Sequence, residues 1–332
     1  MILKNTEVGK LASNCISVTE TPDNGIRINR FTEKQWEVYK KYNLPAHPHF
    51  NAGVCFDFIY DGKNIAFDFM PMMKASRRYI SFDVYENDRF VYTFTNFNGT
   101  AGIRRFTYDF AEAKERRVRI FLPYTCALEI WNFALDDGSN FRPTPSEGKM
   151  KILMYGDSIT HGYDSQFTST SYAGMVATHY SNAIVLNQAV GGFIFCADSL
   201  DEELDYKPDV ITVAYGTNDW SRYGLDEEKY RSMAKAYIDK LCKMYPDAKI
   251  FGILPLWRDA WNKFEGQRMP FAKIYDILTE YYNEYGVTII DGRDAVPSDN
   301  HFFADGVHPN TAAHALYGKH VICCLEKAGI HN

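Results

Sequence analysis

Apolar and polar positions alternate with a period of two through the first half of the chain, from about residue 53 to residue 135. Val54, Phe56 and Phe58 form one such row, and the pattern recurs in residues 65–69, 80–84 and 118–122. This alternation is typical of strands that have one buried and one exposed face. Several short strands separated by turn formers predict an all-β, jelly-roll-like sandwich over residues 1–140.

Residues 141–148 are polar and contain two prolines and a glycine, so they are predicted to be a linker. Beyond them, short apolar runs alternate with segments of helical spacing. Asp226 can cap a helix that Pro246 ends. The other predicted elements are helices at about 270–284 and 311–327 and strands that begin at Lys151 or span residues 183–186, 209–215, 249–254 and 287–290. The alternation predicts a parallel sheet with helices on both faces over residues 149–332.

A length of 332 residues suggests two domains. The formal charge of −6 argues against a nucleic-acid partner, because such proteins usually present a basic patch. The arginine pairs at 77–78, 104–105 and 116–117 are isolated, and they are predicted to lie at solvated strand edges. No apolar run has the length of a membrane span.

The start of the chain has no basic region followed by a long apolar stretch, so no signal peptide is predicted. The seven cysteines are an odd number without Cys-x-x-Cys spacing, which fits reduced thiols better than a disulfide framework. A cytoplasmic protein is therefore expected, or a secreted one if a leader was removed.

The most informative motif is Gly156-Asp157-Ser158, directly after the apolar run that begins at Lys151. A strand that ends in a tight turn holds a side chain at the carboxyl edge of a sheet, where open α/β sheets bind ligands. A nucleophilic serine needs that position, a base, and donors for an oxyanion. Taken alone, the tripeptide is more often an ordinary turn.

Later blocks supply the partners. Two glycines follow strand 183–186, and Asn218 follows strand 209–215. Asp305 and His308 lie in a turn before the last predicted helix, and an aspartate at this spacing can bond the imidazole directly. Each block has a plain alternative: Asn218 can satisfy its own backbone in a turn, and the last block can simply lead into a helix.

Together, the four blocks resemble those of the SGNH (GDSL-type) hydrolase superfamily, which carries a serine, a glycine, an asparagine and a histidine in this order. The resemblance covers about 180 residues, from Lys151 to near the C-terminus. It implies a flavodoxin-like three-layer α/β/α domain. A β-sandwich in front of such a domain is similar to the arrangement in some carbohydrate esterases and acyltransferases.

The resemblance also implies roles. Ser158 would be the nucleophile, His308 the general base, and Asp305 the residue that holds the imidazole. The N–H groups of Ser158 and Gly192 and the side-chain amide of Asn218 would form the oxyanion hole. Gly192 is preferred to the preceding glycine because it stands five positions after the asparagine of its block, as in the family.

Asp157, Trp220 and Trp257 are candidate substrate-binding residues, and Trp261 lies in the same predicted loop region as Trp257. For each tryptophan, packing at the domain boundary is an equal alternative. His161 is equally balanced between lining the pocket and a structural role.

Other histidines are weaker candidates. His301 and His314 rank below His308 as the base, because neither stands three residues after an aspartate in a turn. His47 and His49 lack metal-site spacing and are predicted to lie in a surface turn. No metal and no cofactor are expected.

These observations predict a serine esterase that hydrolyses small acyl esters, acetyl esters above all, of a carbohydrate or another polar alcohol. The polar loop 161–172 favours a hydrophilic acyl donor over a long lipid. The alternatives are an acyltransferase that uses the same residues and a non-catalytic carbohydrate-binding protein. The role of the β-rich half stays open between shaping the cleft, oligomerisation and sugar binding, and the oligomeric state is not predicted.

Overall fold

The chain folds into a β-rich half followed by an α/β half. A computed structural model describes residues 1–44, 46–74, 77, 79–96, 102–258 and 269–332. Antiparallel sheets occupy the first half, and a parallel sheet flanked by helices occupies the second. The predicted fold class is confirmed.

The β-rich half contains helices α1 (Asn5–Leu11) and α2 (Glu33–Lys41). Its strands are β1 (Ala12–Ser13), β2 (Ser17–Glu20), β3 (Ile26–Asn29), β4 (Cys55–Tyr60), β5 (Asn64–Lys74), β6 (Ile80–Glu86), β7 (Arg89–Asn96), β8 (Arg104–Asp109), β9 (Arg116–Phe121), β10 (Cys126–Leu135) and β11 (Phe141–Pro143). One sheet has the order β1-β4-β9-β6-β7 with β11 added on β4, and the other has the order β2-β3-β10-β5-β8.

The two sheets share an aromatic core. The ring of Phe67 on β5 lies 5.9 Å from that of Phe56 on β4 and 5.5 Å from that of Phe82 on β6. All three side chains are fully buried. Burying apolar side chains contributes about 25 cal/mol of stabilising free energy per Å² of surface removed from water, and this burial stabilises the packing of the two sheets. The core residues are those that the period-two pattern predicted.

The outer face of the first sheet is also buried, which the alternation did not predict. Cys55 and Phe121 are paired across β4 and β9, and they pack with Ile152 and Met154 of the α/β half. The sheet therefore has a core on each side. The pattern identified the inner face correctly and missed the outer one.

The neighbouring arginines of β9, Arg116 and Arg117, are also largely shielded from solvent. Arg116 is fully buried, and Arg117 binds both carboxylate oxygens of Asp57. The prediction that this pair lies at a solvated edge is wrong, because β9 is an inner strand: Arg116 donates to the carbonyls of Gly62 and Glu112 within the β-rich half, and Arg117 donates to the carbonyl of Ser181 in the α/β half. Arg105 is exposed and pairs with Asp68, as expected for a strand surface.

The α/β half contains a five-stranded parallel sheet in the order β13-β12-β14-β15-β16 within the described residues. This order is typical of flavodoxin-like folds. The strands are β12 (Lys151–Gly156), β13 (Ile184–Asn187), β14 (Val210–Ala214), β15 (Lys249–Ile253) and β16 (Thr288–Ile290). The helices are α3 (Ser158–His161), α4 (Tyr172–His179), α5 (Thr217–Ser221), α6 (Glu227–Met244), α7 (Ala272–Glu284) and α8 (Thr311–Lys327).

The long helices start where the sequence predicts. The Asp226 carboxylate accepts from the N–H of Lys229 at 2.9 Å and caps α6. Asn310 caps α8 in the same way, accepting from the N–H of Ala313. None of the helices in the described part of the chain combines the length and hydropathy needed to cross a membrane.

The junction between the halves is extensive. Arg30, which precedes α2, is fully buried; its Nε donates to the carbonyl of Phe50 at 2.6 Å and its Nη1 to the carbonyl of Asn187. Part of the predicted linker is strand β11, which pairs with β4. The division into residues 1–140, 141–148 and 149–332 stays a prediction.

Candidate active site

Ser158 lies at the carboxyl edge of the parallel sheet. Strand β12 ends at Gly156, and Ser158 is the first residue of α3. Asp157 caps this helix, since its Oδ1 accepts from the N–H of Ile159 at 3.0 Å. The strand, the cap and the helix therefore fix the serine in the position that the sequence predicted for it.

His308 lies directly beside this serine. The distance from Oγ of Ser158 to Nε2 of His308 is 2.7 Å, and Nδ1 of His308 is 2.8 Å from Oδ2 of Asp305. A carboxylate only accepts, so Nδ1 carries the proton and donates to Asp305. Nε2 is then free to accept from the serine hydroxyl. The predicted nucleophile, base and orienting residue are brought together in this geometry.

Asp305 is held in its ionised form. Partial burial works against the charge, but hydrogen bonds from the His308 ring and from the N–H groups of His308 and Val307 hold the pKa of the carboxyl well below its ordinary value. A permanently charged Asp305 stabilises a protonated imidazole.

The competing histidines are elsewhere. His301 is exposed and bonds to Asp299. His314 is buried, with Nδ1 accepting from the N–H of Tyr172 and Nε2 donating to the carbonyl of Tyr163. Burial lowers the pKa of His314 to about 4, so it stays neutral. Neither histidine is hydrogen-bonded to Ser158 in the described structure.

His161 has a structural position. It is buried, and its Nε2 donates to the carbonyl of Tyr124 at 2.9 Å. Burial holds the pKa of His161 well below its ordinary value, with the positive charge of Arg30 adding to the effect. Of the two roles weighed from the sequence, these contacts favour the structural one.

Gly192 occupies a turn after β13. The N–H of Phe193 donates to the carbonyl of Val190 at 3.1 Å, and Gly192 has a φ of +81°. Glycine adopts this left-handed conformation without a steric cost. In the described part of the chain, the N–H groups of Ser158 and Gly192 have no hydrogen-bond acceptor. Both remain available for an oxyanion.

Asn218 joins this turn to the serine block. Its Nδ2 donates to the carbonyl of Phe193 at 3.1 Å and to Oδ2 of Asp157 at 3.3 Å. The two contacts orient the amide between the residue after Gly192 and the residue before Ser158. The three predicted donors therefore come from neighbouring segments.

Asp157 supports the site from below its surface. It is 3 % exposed, and burial raises the pKa of its carboxyl to about 6, against the lowering effect of the Ile159 N–H and of His308 and Arg258. Both of its oxygens are engaged by neighbouring protein groups. Direct contact between Asp157 and substrate stays a prediction.

The tryptophans differ from one another. Trp220 is 2 % exposed, donates from Nε1 to the carbonyl of Met269 and packs on Phe271, so these contacts lie inside the α/β half. Trp257 is partly exposed and, with Asp157, lines a narrow cavity beyond the end of β15. Trp261 lies outside the described residues.

The β-rich half contributes side chains that the sequence analysis missed. Arg77 donates from Nε to Oδ1 of Asp164 at 2.6 Å, and His47 Nδ1 lies 2.8 Å from the carbonyl oxygen of Gly191. The expectations of a solvated strand edge for Arg77 and of a surface turn for His47 are wrong. The partners are far apart in the sequence, by 87 positions for Arg77 and Asp164 and by 144 for His47 and Gly191, so no local pattern marks these contacts.

One group of three ligand-type side chains lies close together in the described part of the chain. Ligand atoms of Asp164, Asp305 and His308 are within 4.8 Å of one another. The Arg77 guanidinium contacts both carboxylates. A positive charge of the protein itself therefore lies against this group.

The part of the chain that carries Ser158 and His308 matches a known protein family. Residues 154–316 match the model of the GDSL-like lipase/acylhydrolase family. No curated protein matches the chain.

Solved structures share the fold over nearly the whole chain. A salicylyl-acyltransferase from a tetracycline biosynthetic pathway has a TM-score of 0.78 at 15 % identity, covering 96 % of this chain and 94 % of that one. A proposed GDSL-like lipase from Bacteroides ovatus has a TM-score of 0.74 at 16 % identity, covering 98 % and 97 %. A family two carbohydrate esterase from Clostridium thermocellum, in complex with cellohexaose, has a TM-score of 0.64 at 18 % identity, covering 99 % of each chain.

At these identities the likeness to solved structures establishes the fold alone. The family match independently spans the serine, glycine, asparagine and histidine blocks. The chain therefore contains a GDSL-like lipase/acylhydrolase domain of the SGNH type, behind an N-terminal β-rich region.

Proposed function

We propose that this protein is a serine esterase that hydrolyses small acyl esters of a carbohydrate or another polar alcohol. The observation that supports it best is the chain of contacts from Ser158 Oγ through His308 to Asp305, at 2.7 Å and 2.8 Å. A hydroxyl bonded to a neutral imidazole, which is itself bonded to a carboxylate, is the arrangement that activates serine nucleophiles.

The proposed reaction has two halves. Ser158 Oγ attacks the ester carbonyl while its proton passes to Nε2 of His308, and the oxyanion accepts from the N–H groups of Ser158 and Gly192. Asn218 is the third donor: its Nδ2 gives up the longer bond, to Oδ2 of Asp157 at 3.3 Å, and donates to the oxyanion instead. The intermediate collapses as the alcohol leaves with the proton from Nε2. Water then repeats the sequence on the acyl-enzyme and releases the acid.

The substrate class rests on two supports. The loop 161–172 beside the serine is polar, which favours an acyl group that needs no long apolar channel. The fold is shared with a carbohydrate esterase that binds cellohexaose. A small acyl group on a sugar hydroxyl, with acetyl first, satisfies both.

The test is hydrolysis of p-nitrophenyl acetate, followed by a panel of acetylated glycans and esters of graded chain length. Ser158→Ala should abolish activity and prevent labelling by a fluorophosphonate. Ser139→Ala, in the loop after β10, is the matched control and should behave as the wild type. Activity that survives in Ser158→Ala would overturn the assignment of the nucleophile.

An acyltransferase is the second candidate, favoured by the fold shared with a salicylyl-acyltransferase. It would use the same residues and pass the acyl group to an alcohol instead of water. Adding sugar acceptors and measuring the ratio of transfer to hydrolysis separates the two. A non-catalytic carbohydrate-binding protein would bind glycans without fluorophosphonate labelling.

A cytoplasmic location is also part of the proposal. Every cysteine of the chain lies in its described part, and none is joined in a disulfide. Thiol titration of the denatured protein, isolated without reductant, should therefore give seven free thiols per chain. A lower count would support oxidation in a secretory compartment.

A further inference from the structure

Arg77 brings a charge from the β-rich half to the proposed base. It lies between β5 and β6, and 18 % of its side chain is exposed. Its Nε donates to Oδ1 of Asp164 at 2.6 Å, and its Nη2 donates to Oδ2 of the same carboxylate. A guanidinium that binds both oxygens of a carboxylate has a fixed orientation.

Asp164 is a second carboxylate beside His308, in addition to Asp305. It follows α3 and has a φ of +68°, a left-handed conformation that aspartate adopts more readily than most residues. Its side chain is 14 % exposed, and its Oδ2 lies 3.7 Å from Nδ1 of His308. Asp164 therefore faces the same ring nitrogen that donates to Asp305.

Arg77 also reaches the imidazole. Its Nη2 lies 3.4 Å from Nδ1 of His308 and 3.4 Å from Oδ2 of Asp305. Nδ1 already donates to Asp305, so Arg77 acts on the ring through its charge and not through a hydrogen bond. The guanidinium also lies over the ring of Tyr163, 5.1 Å from the centroid, which helps to keep it in place.

The charges around the ring can be counted. Two carboxylates and one guanidinium leave one net negative charge beside the neutral imidazole, and this charge is balanced when the ring takes the proton of Ser158. Without Arg77, the ring would face two uncompensated carboxylates. Without Asp164, it would face one charge of each sign.

Other ionisable groups act on this cluster from separate elements. Asp157, the cap of α3, and buried His314 on α8 both interact with His308. Arg258, after β15, interacts with Asp157 and Asp305. These three groups are unchanged in the variants below, so they affect every profile equally.

From this arrangement we propose that Arg77 and Asp164 form a positioning pair, one residue from each half of the molecule, which sets the pH range in which His308 acts as a base. The pair keeps Asp164 from competing with Asp305 for Nδ1, and it compensates the charge of the second carboxylate. The inference rests on the proposed function, in which His308 accepts the proton of Ser158.

Two substitutions test the pair with opposite signs. In Arg77→Met, two carboxylates favour the protonated ring, so the acid limb of the kcat/KM profile on p-nitrophenyl acetate should move to higher pH by about one unit. At a pH on that limb, kcat/KM relative to its own plateau should fall about tenfold.

In Asp164→Asn, the cation stays without its partner, and the acid limb should move to lower pH by a similar amount. In the double variant the two changes cancel, and the midpoint should return close to that of the wild type. A purely structural role would lower the plateau in all three variants and would not move the midpoint in opposite directions.

The controls separate charge from folding. Arg77→Lys keeps the positive charge and should keep the wild-type midpoint, even with a lower plateau. Arg105→Met removes another arginine of the β-rich half, which pairs with Asp68, and should leave the profile unchanged. Thermal melting checks that each variant is folded. If Arg77→Met does not fold, the Asp164→Asn variant alone tests the inference, which requires its acid limb to move to lower pH.

The pH dependence of fluorophosphonate labelling gives a second readout. Shifts of the same sign in both single variants, or unmoved midpoints in folded variants that keep Ser158-dependent activity, would overturn the inference alone. A wild type without Ser158-dependent hydrolysis or labelling would overturn the proposed function, and the inference with it.

Discussion

The two halves of the molecule contribute to the candidate site in different ways. The α/β half supplies every group proposed to react, on the turns after β12, β13 and β14 and in the loop before α8. The β-rich half supplies Arg77 and His47, which touch the surroundings of those groups. One half holds the reacting atoms, and the other modifies their environment.

This difference follows from how each half presents side chains. The turns at the carboxyl edge of a parallel sheet bring residues from separate strands to one place, whatever covers them. Arg77 reaches His308 only because the two halves are packed together through buried contacts such as that of Arg30 with Asn187. Substitutions of the reacting groups in the α/β half should therefore act on the rate itself, and changes in the β-rich half on its pH dependence and selectivity.

The largest expected effect is that of His308→Ala, which removes the proposed base. Turnover on p-nitrophenyl acetate should fall by on the order of 10⁴, because the serine then has no group to take its proton. Asp305→Ala should lose less, since Asp164 Oδ2 lies 3.7 Å from Nδ1 and offers a second acceptor to orient the ring.

His301→Ala is the matched control for both variants, because the ring of this exposed histidine bonds only to Asp299 in the described structure. Equal losses in His308→Ala and Asp305→Ala would mean that Asp164 cannot replace the orienting carboxylate. Unchanged turnover in His308→Ala would mean that His308 is not the base and that the α/β half does not supply it.

A smaller loss is expected for Asn218→Ala. Removing a single oxyanion donor typically lowers kcat by about 10²–10³ with little change in KM. Asn283→Ala, on the exposed surface of α7, is the control and should match the wild type. A change confined to KM would indicate that Asn218 binds the substrate instead of the oxyanion.

Separating the halves tests the comparison directly. Residues 149–332 expressed alone should be poorly soluble, because Phe193, now packed 4.7 Å from Tyr39, would become exposed. The soluble fraction should lose more activity on bulky esters than on p-nitrophenyl acetate, since a wall of the cleft is gone. A well-behaved fragment with the selectivity of the full chain would make the β-rich half an independent appendage.

The same contrast explains what the sequence could predict. Each proposed reacting or oxyanion-binding residue stands in a local motif after a strand or before a helix, and a local motif can be recognised from the sequence alone. These residues are Ser158, Gly192, Asn218, Asp305 and His308. The parallel strand order then brings the ends of the strands together at one edge of the sheet. Period two likewise identified the inner face of β4, with Phe56 and Phe58.

What could not be predicted depends on packing between distant segments. Cys55 and Asp57 alternate with the core residues of β4. Cys55 is buried against the docked α/β half, and Asp57 is buried beneath Arg117 and Thr144. Arg77 looks like a surface arginine in sequence, because its partner Asp164 is 87 positions away. Trp220 stands just after the Asn218 block along the chain, yet its ring fills the core against Phe271.

The last and smallest effect concerns stability. His314 is buried and neutral with both ring nitrogens bonded, and its pKa is lowered to about 4. An unfolded histidine titrates near 6.5, so between about pH 6.5 and pH 4 the unfolded state binds more protons than the folded one. Stability from this residue is therefore fully present above about pH 6.5 and is lost as pH falls, by up to about 3 kcal/mol.

His314→Gln tests this sign, since a glutamine can still accept from the N–H of Tyr172 and donate to the carbonyl of Tyr163. Urea unfolding between pH 7.5 and 4.5 should show a smaller loss of unfolding free energy in the variant than in the wild type, with part of the slope remaining because buried His161 acts in the same direction. The exposed His301→Gln should leave the slope unchanged. An identical slope in His314→Gln and the wild type would mean that acid sensitivity does not originate in this buried histidine of the α/β half.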